Sequence, residues 1–539
     1  MAKDSAAFPN FKQAIIDGGF TTCFYTDPCM DRETLLDGTL VEAICLVEPY
    51  LDMIPCYHEN VATGGADAFA RMTGKPALAV VDSGPGCASG LANMHNAKRA
   101  GVPMVVIVSD RPERPELEMM GGGADELAGT VSKFVRRVQS ADTMASDFRD
   151  ALAAIAEAPV PMQSNIATLI IPDTLTWSEA TGAPAHPSLP PIPPRIEPTD
   201  ADIAKVASVL ASDGEGACIL LSNQALHEPA LSVFGKIAEA TGAKLCGVNS
   251  FSRCDRGVGR PYVERVPYFP NDALKFFTKF KTMVLCDAAA PVAQFGYEDG
   301  ISSTVPETTT VHEFNFGHML DAANRLLAQL LSRPGAPSKP PPAPRVAHGP
   351  APNTDGKLTP SKMCHIIAEL QPKDCIIVDE SLTSGGSYWA ASAARGEFTH
   401  LALTGGAIGQ GMPCALGASI ACPDKVVINI QADGSALYTV QSLISQKMKN
   451  CNVITIICAN DTYQILRVEQ RKQGLKNNDA EVPRALTSLD GPKINWCALS
   501  RGHGVPAESA ETGEELRAEL SKALALGGPR LIAAQLPSS

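Results

Sequence analysis

The chain lacks three things, and each absence removes a class of function. It has no excess of basic residues: the formal net charge is −13, which argues against a nucleic-acid surface. It has no run of 18 uncharged apolar residues, so no membrane span or membrane partner is expected. Its 16 cysteines contain no C-x-x-C pair and no regular framework. The first ten residues have no apolar core and few positive charges, so no signal peptide is expected. Together these predict reduced thiols in a cytoplasmic setting. The glycosylation sequon Asn460-Asp461-Thr462 is discounted on the same ground.

What is present is a chain of 539 residues, 45% hydrophobic, enough for several cores and for three or four domains. Two proline-rich stretches, residues 183–198 and 333–356, predict extended linkers. They leave units at 1–182, 199–332 and 357–539. In all three, short apolar runs alternate with helical patterns, the signature of parallel α/β sheets. The middle unit has no cluster that demands catalysis. Its loop over 250–270 carries Arg253, Arg256, Arg260 and Arg265, and is expected to be a solvated, salt-bridged surface rather than a nucleotide or anion site.

The most informative stretch is 426–462. Val426-Val427-Ile428-Asn429-Ile430-Gln431-Ala432 is too short for a helix and rich in Val and Ile, which predicts a buried strand. Asp433-Gly434-Ser435 follows. Leu437, Val440, Leu443, Ile444 and Met448 then recur at helical spacing and predict one helix over 436–449. A second apolar run, 453–459, ends on Asn460. This strand–turn–helix–strand unit places Asp433 and Asn460 at the carboxyl ends of neighbouring parallel strands, where open sheets bind ligands. A carboxylate, an amide oxygen and a nearby main-chain carbonyl are hard donors suited to Mg²⁺ or Ca²⁺. Gly434 and Ser435 open a helix, which favours a phosphate. The plain alternative is an ordinary βαβ turn with a capping aspartate.

This pattern resembles the cofactor motif of thiamine-diphosphate-dependent enzymes, the family of 2-oxo acid decarboxylases and acetolactate synthases. The resemblance implies that Asp433, Asn460 and the Thr462 carbonyl hold Mg²⁺, with Gly434, Ser435 and Tyr463 also at the cofactor. Ala432 stands where the family motif opens with glycine, a small change. Residues 59–74, ending Ala66-Asp67-Ala68-Phe69-Ala70-Arg71-Met72-Thr73-Gly74, resemble the family's activating-glutamate helix. Glu59 is therefore the candidate catalytic carboxylate, exchanging a proton with the aminopyrimidine. Alone, it reads as an acid favoured by a helix N-terminus. Ile408, a stiff β-branched residue among glycines, stands where the family props the thiazolium. Glu380, Ser381, Thr404 and Gly406 are expected to line the diphosphate and pyrimidine pockets. The family architecture implies an α/β fold of three doubly wound parallel-sheet domains: pyrimidine-binding, central and diphosphate-binding. It also implies a homodimer or homotetramer with active sites between subunits.

The expected reaction is decarboxylation of a small 2-oxo acid, with or without ligation of the product fragment to a second carbonyl. Residues 94–100 and 404–421 look most like the acetolactate-synthase-like and benzoylformate-decarboxylase-like branches. Decarboxylases of this kind often place histidines near a glycine–proline–glycine loop; here the matching places are Asp82 and residues 111–115, with no histidine. Asp27, Asp82, His95 and Arg111 are the candidate substrate groups. For His58 and His95 a structural hydrogen bond is an equal reading. Gly121-Gly122-Gly123 reads as a mobile lid or a plain connector. Two other classes stay open: a silent family member acting as a binding subunit, and an NAD oxidoreductase built on Gly84-Pro85-Gly86, whose spacing to Asp110 mimics a dinucleotide fingerprint. A flavin in the central domain, as in some acetolactate synthases, is left undecided.

Overall fold

The computed structural model describes residues 7–26, 51–110, 123–156, 163–172, 175, 196–296, 300–334, 352–474 and 481–538. Asp27, Arg111, Gly121, Gly122 and most of both proline-rich stretches lie outside them.

Three sheets form the chain, as the apolar runs predict. The first is six-stranded and parallel throughout, in the order Asp52–Pro55, Thr22–Tyr25, Ala77–Asp82, Met104–Asp110, Ile166–Pro172, Phe134–Arg137. Every residue of Met104–Asp110 is buried, the expected state of a central strand covered on both faces. The second is five-stranded and parallel: Glu264–Arg265, Lys244–Gly247, Ala217–Leu221, Thr282–Cys286, Thr310–Phe314.

The third sheet holds the expected strand pair. Its order is Ala507–Ala510, Arg530–Gln535, Val453–Ala459, Val427–Ala432, Ile376–Glu380, Phe398–Ala402 and Cys254–Arg256. The chain leaves Ile376–Glu380 for Phe398–Ala402 on one side, then crosses back to Val427–Ala432 on the other. The strand order therefore reverses between Glu380 and Ala432, which makes the space beyond them the topological switch point.

Two expectations are corrected. The loop over 250–270 is not a solvated surface. Cys254–Arg256 is an antiparallel strand that the middle unit adds to the third sheet, against Phe398–Ala402. Arg256 is buried, its guanidinium 3.6 Å above the Trp389 ring. Arg265 donates to the Asn249 carbonyl, and Arg253 and Arg260 pair with Asp255 and Glu228. Arg256 was misread because its stacking partner, Trp389, lies more than 130 positions away. Second, the helix over 436–449 is divided. A short turn, Asp433–Ala436, is followed after a break by Ser442–Met448. The break falls where the buried Thr439 hydroxyl donates to the Gly409 carbonyl at 2.9 Å, tying this turn to the glycine-rich loop. Leu437 and Met448 are consequently exposed rather than core.

The units are joined by one buried ion pair. Arg71 meets Asp67 through Nε at 2.8 Å and Nη2 at 2.6 Å, and its Nη1 donates to the carbonyls of Ser252 and Ala402. One guanidinium thus satisfies acceptors from all three units. Beside it, helices Glu59–Thr73 and Gly411–Ala421 cross so closely that a Cβ on Gly417 would lie 1.9 Å from the Gly65 carbonyl. Among the described residues no disulfide occurs and most cysteines are buried.

Candidate active site

The switch point opens into a narrow cavity lined by Ser381–Ser384 on one side and by Ala432–Ser435, Asn460 and Thr462–Ile465 on the other. Asp433 is its most constrained member. Its Oδ1 accepts from the Gly434 N–H at 2.8 Å, and its Oδ2 accepts from the Asn460 and Asp461 N–H groups at 3.0 and 2.7 Å. Asp461 adopts φ of +53°, a left-handed conformation at this turn. Burial pushes the Asp433 carboxyl up to about 6, against the pull of those three donors. The leading influences are burial, those three donors and the neighbouring Asp461, with no basic side chain among them.

Around it stand the other expected donors. Asn460 Oδ1 accepts from the Thr462 N–H at 3.1 Å, and the Thr462 carbonyl already takes the Gln464 N–H at 2.9 Å, leaving a second lone pair. Ser435 is buried and its hydroxyl has no partner among the described residues. Gly434 cannot be replaced: a Cβ there would lie 2.4 Å from the Tyr463 ring. Among the described residues no group of three His, Cys, Asp or Glu side chains could hold a metal. This site is of another kind, with one carboxylate, one amide oxygen and one carbonyl. That set suits a hard, partly hydrated cation whose remaining ligands are phosphate oxygens. The unpartnered hydroxyl and the uncompensated carboxylate are the groups such an anion and cation would satisfy, so the residues present fit a metal-bridged diphosphate.

Glu59 lies elsewhere in the same chain. It opens helix Glu59–Thr73, capped by His58, whose Nδ1 accepts from the Asn60 N–H at 3.1 Å. That bond fixes the structural role of His58. Helix Gly84–Ala100 packs on Glu59: a Cβ on Gly86 would sit 3.2 Å from Glu59 Oε1 and 3.3 Å from Asp82 Cβ. The Gly84 turn is therefore not an open phosphate cradle. Two acidic side chains crowd it, which weighs against a dinucleotide reading. Glu59 is not among the residues around the Asp433 cavity.

Residues 404–411 run between these two places. Ile408 is half-buried, and Gly406 and Gly409 hold φ of +78° and +97°. Glu380 and Thr404, expected to line pockets, are instead committed to protein partners. Glu380 accepts from Gly409 and Gly411, and burial raises its carboxyl. The Thr404 hydroxyl donates to the Asn96 carbonyl at 2.8 Å. Ser381 reaches the cavity wall while its hydroxyl donates to Asp379. His95 Nε2 contacts the Gly405 carbonyl at 3.1 Å, a structural bond. Asn93, Asn96 and Gln431 were missed by sequence reasoning, as was Gln464. Asn96 falls within 94–100, a stretch noted only for its likeness to the family.

Comparison with known proteins identifies the family. The family model described as "Thiamine pyrophosphate enzyme, N-terminal TPP binding domain" matches residues 37–128, and "Thiamine pyrophosphate enzyme, C-terminal TPP binding domain" matches 385–534. A Mycobacterium tuberculosis protein provisionally named an acetolactate synthase large subunit is 37% identical over 97% of this chain and 98% of its own length. A benzoylformate decarboxylase of Pseudomonas aeruginosa is 27% identical over 88% of this chain and 90% of its own. The solved thiamine diphosphate-dependent 4-hydroxybenzoylformate decarboxylase of Rhodococcus jostii RHA1 superposes with a TM-score of 0.81 at 19% identity, covering 99% of this chain and 100% of that one.

Proposed function

The chain belongs to the thiamine pyrophosphate enzyme family, of the acetolactate synthase and benzoylformate decarboxylase type, and on that premise we propose that it decarboxylates a small 2-oxo acid with Mg²⁺ as the second cofactor. Asp433 carries the reading: a buried carboxylate raised to about 6, held by three N–H groups at a switch point, is an unfinished metal site. Asp433, Asn460 Oδ1 and the Thr462 carbonyl would hold the ion, and the Ser435 hydroxyl the diphosphate. Ile408 would support the thiazolium. The bound cofactor supplies a nucleophilic carbon and an electron sink for the leaving carboxylate.

The chain's own groups do the rest. Glu59 holds and returns a proton at the pyrimidine nitrogen, and its half-buried position favours that exchange. Because Glu59 stands apart from the Asp433 cavity, a homodimer or homotetramer in which the partner's glutamate completes each site is part of the proposal. Asp82, beside Glu59, takes the place of the proton-moving histidine of related decarboxylases. That departure favours a second reading, ligation of the product fragment to another carbonyl.

The test is direct. Protein stripped of cofactors is titrated with thiamine diphosphate and Mg²⁺, alone and together, and its unfolding midpoint is followed. It is then offered a panel of 2-oxo acids while carbon dioxide, aldehyde and acyloin are measured. A midpoint that rises only with both cofactors, and carbon dioxide release from one acid, support the proposal. Indifference to saturating cofactor removes it.

A further inference from the structure

Residues 404–410 hold no helix or strand, yet the main-chain polar groups of Gly405, Ala407 and Gly409, on either side of Ile408, all have side-chain partners. On one side stands helix Gly84–Ala100. Asn96 Oδ1 accepts from the Gly405 and Ala407 N–H groups at 3.1 and 3.2 Å, and its Nδ2 donates to the Ala407 carbonyl at 2.8 Å. Asn93 Nδ2 reaches the Gly409 carbonyl at 3.3 Å and orients Asn96 through its own Oδ1 at 2.9 Å. On the other side stands Glu380, whose Oε1 accepts from the Gly409 N–H at 2.7 Å and Oε2 from the Gly411 N–H at 2.6 Å. Gln431 Nε2 steadies Oε2 at 3.0 Å. There is no slack. A Cβ on Gly405 would lie 2.5 Å from Asn96 Oδ1, and one on Gly411 2.9 Å from Glu380 Oε2. Both Asn96 and Glu380 are buried, as are Asn93 and Gln431.

The geometry points to Asn96 and Glu380 as positioning residues that fix the height of Ile408 from opposite sides without touching the cofactor themselves. The inference rests on the proposed function, since it gives Ile408 a cofactor to support. A loop without secondary structure is free to shift, and a 1 Å displacement at a reacting centre costs on the order of 10²-fold in rate. An asparagine that both accepts from and donates to one segment acts as a stretch of partner strand would. It ties the cofactor loop to the helix whose first turn packs on Glu59.

The experiment uses the full-length protein loaded with thiamine diphosphate and Mg²⁺. Asn96→Ala removes the loop's partner. Asn96→Asp keeps the shape and the two acceptor bonds but loses the donor. Glu380→Gln replaces an acceptor with a donor facing an N–H. For Asn96→Ala and Glu380→Gln, kcat is expected to fall on the order of 10²-fold with substrate KM changed by less than about threefold. The near-ultraviolet circular dichroism of the bound cofactor is expected to change with it. Asn96→Asp is expected to recover at least part of both. If Asn96→Ala fails to fold, Asn96→Asp carries the test, and its kcat and cofactor spectrum must still shift below wild type. Unaltered kcat and cofactor spectrum in folded variants overturn the inference, as does a loss confined to unfolding temperature. A wild-type protein that never binds thiamine diphosphate refutes the proposed function instead.

Discussion

Two buried aspartates lie within the third sheet's carboxyl edge and behave in opposite ways. Burial pushes both up, yet Asp433 ends near 6 and Asp379 near 2. Asp379 is brought down by His400, whose Nε2 stands 3.4 Å from Oδ2, by Ser381, and by Arg265. Asp433 has only main-chain N–H donors. The difference separates a carboxylate compensated by protein partners from one that the proposed Mg²⁺ would complete. Full burial alone would not tell them apart; the company each keeps does.

The largest effect is expected at a third carboxylate, Glu59, which is neither a metal ligand nor a structural pair. Glu59→Gln should lower kcat by roughly 10²–10⁴-fold, the usual span for a positioned acid or base, at saturating cofactor. Raising Mg²⁺ should restore nothing. Asp433→Asn, by contrast, should weaken Mg²⁺-dependent cofactor binding by more than about 10²-fold, beyond the usual loss for a group that only supports a ligand. Isothermal titration measures that loss, and added metal should partly reverse it. Equal responses of the two variants to metal would collapse the distinction.

The same substitution at the two aspartates sharpens the comparison in stability. A carboxylate lowered from 3.8 to about 2 contributes about 2 kcal/mol above pH 4, lost as pH falls through its folded value. Asp379→Asn should therefore cost about 2 kcal/mol at pH 7 by urea unfolding of cofactor-free protein. Asp433→Asn should cost less than that, because relief of a buried charge offsets the amide donor it turns against a main-chain N–H.

His400 extends this to pH. Burial lowers it to about 4 despite the neighbouring Asp379. The unfolded chain therefore binds a proton below about 6.5 that the folded chain refuses until about 4. Stability should be full above pH 6.5 and fall by about 3 kcal/mol on acidification to 4. His400→Gln should flatten that window in denaturation curves taken at half-unit pH steps; an unchanged slope would place the loss elsewhere.

How much of this was legible follows from range. Ala217–Leu221, Thr282–Cys286 and Val453–Ala459 occur where their apolar runs predict, because a buried parallel strand is written in consecutive residues. Asp433 and Asn460 were legible because strand, turn, helix and strand are contiguous. The clamp on residues 404–411 was not: Asn96 and Glu380 reach it from about 310 and 30 positions away. Nothing local marks a fully buried asparagine as a loop's partner. The Arg71–Asp67 pair is visible as an i,i+4 spacing, but its carbonyl partners Ser252 and Ala402 are not. The strand Cys254–Arg256 is three residues long and two-thirds charged, below any pattern threshold.

The smallest effect tests whether the Asp433 cavity is unfinished at its second pole. Ser435 is buried with an unpartnered hydroxyl, so in the cofactor-free protein that oxygen contributes desolvation cost and no bond. Ser435→Ala should leave the cofactor-free unfolding free energy unchanged or raise it by up to about 1 kcal/mol. The same change should weaken thiamine diphosphate binding by about tenfold, the equivalent of one hydrogen bond to a charged acceptor, about 1.5 kcal/mol. Opposite signs in one variant are what a ligand-directed hydroxyl produces. A structural serine would lose stability without the cofactor and show no separate loss with it, and Asp433 would then be the cavity's only unfinished group.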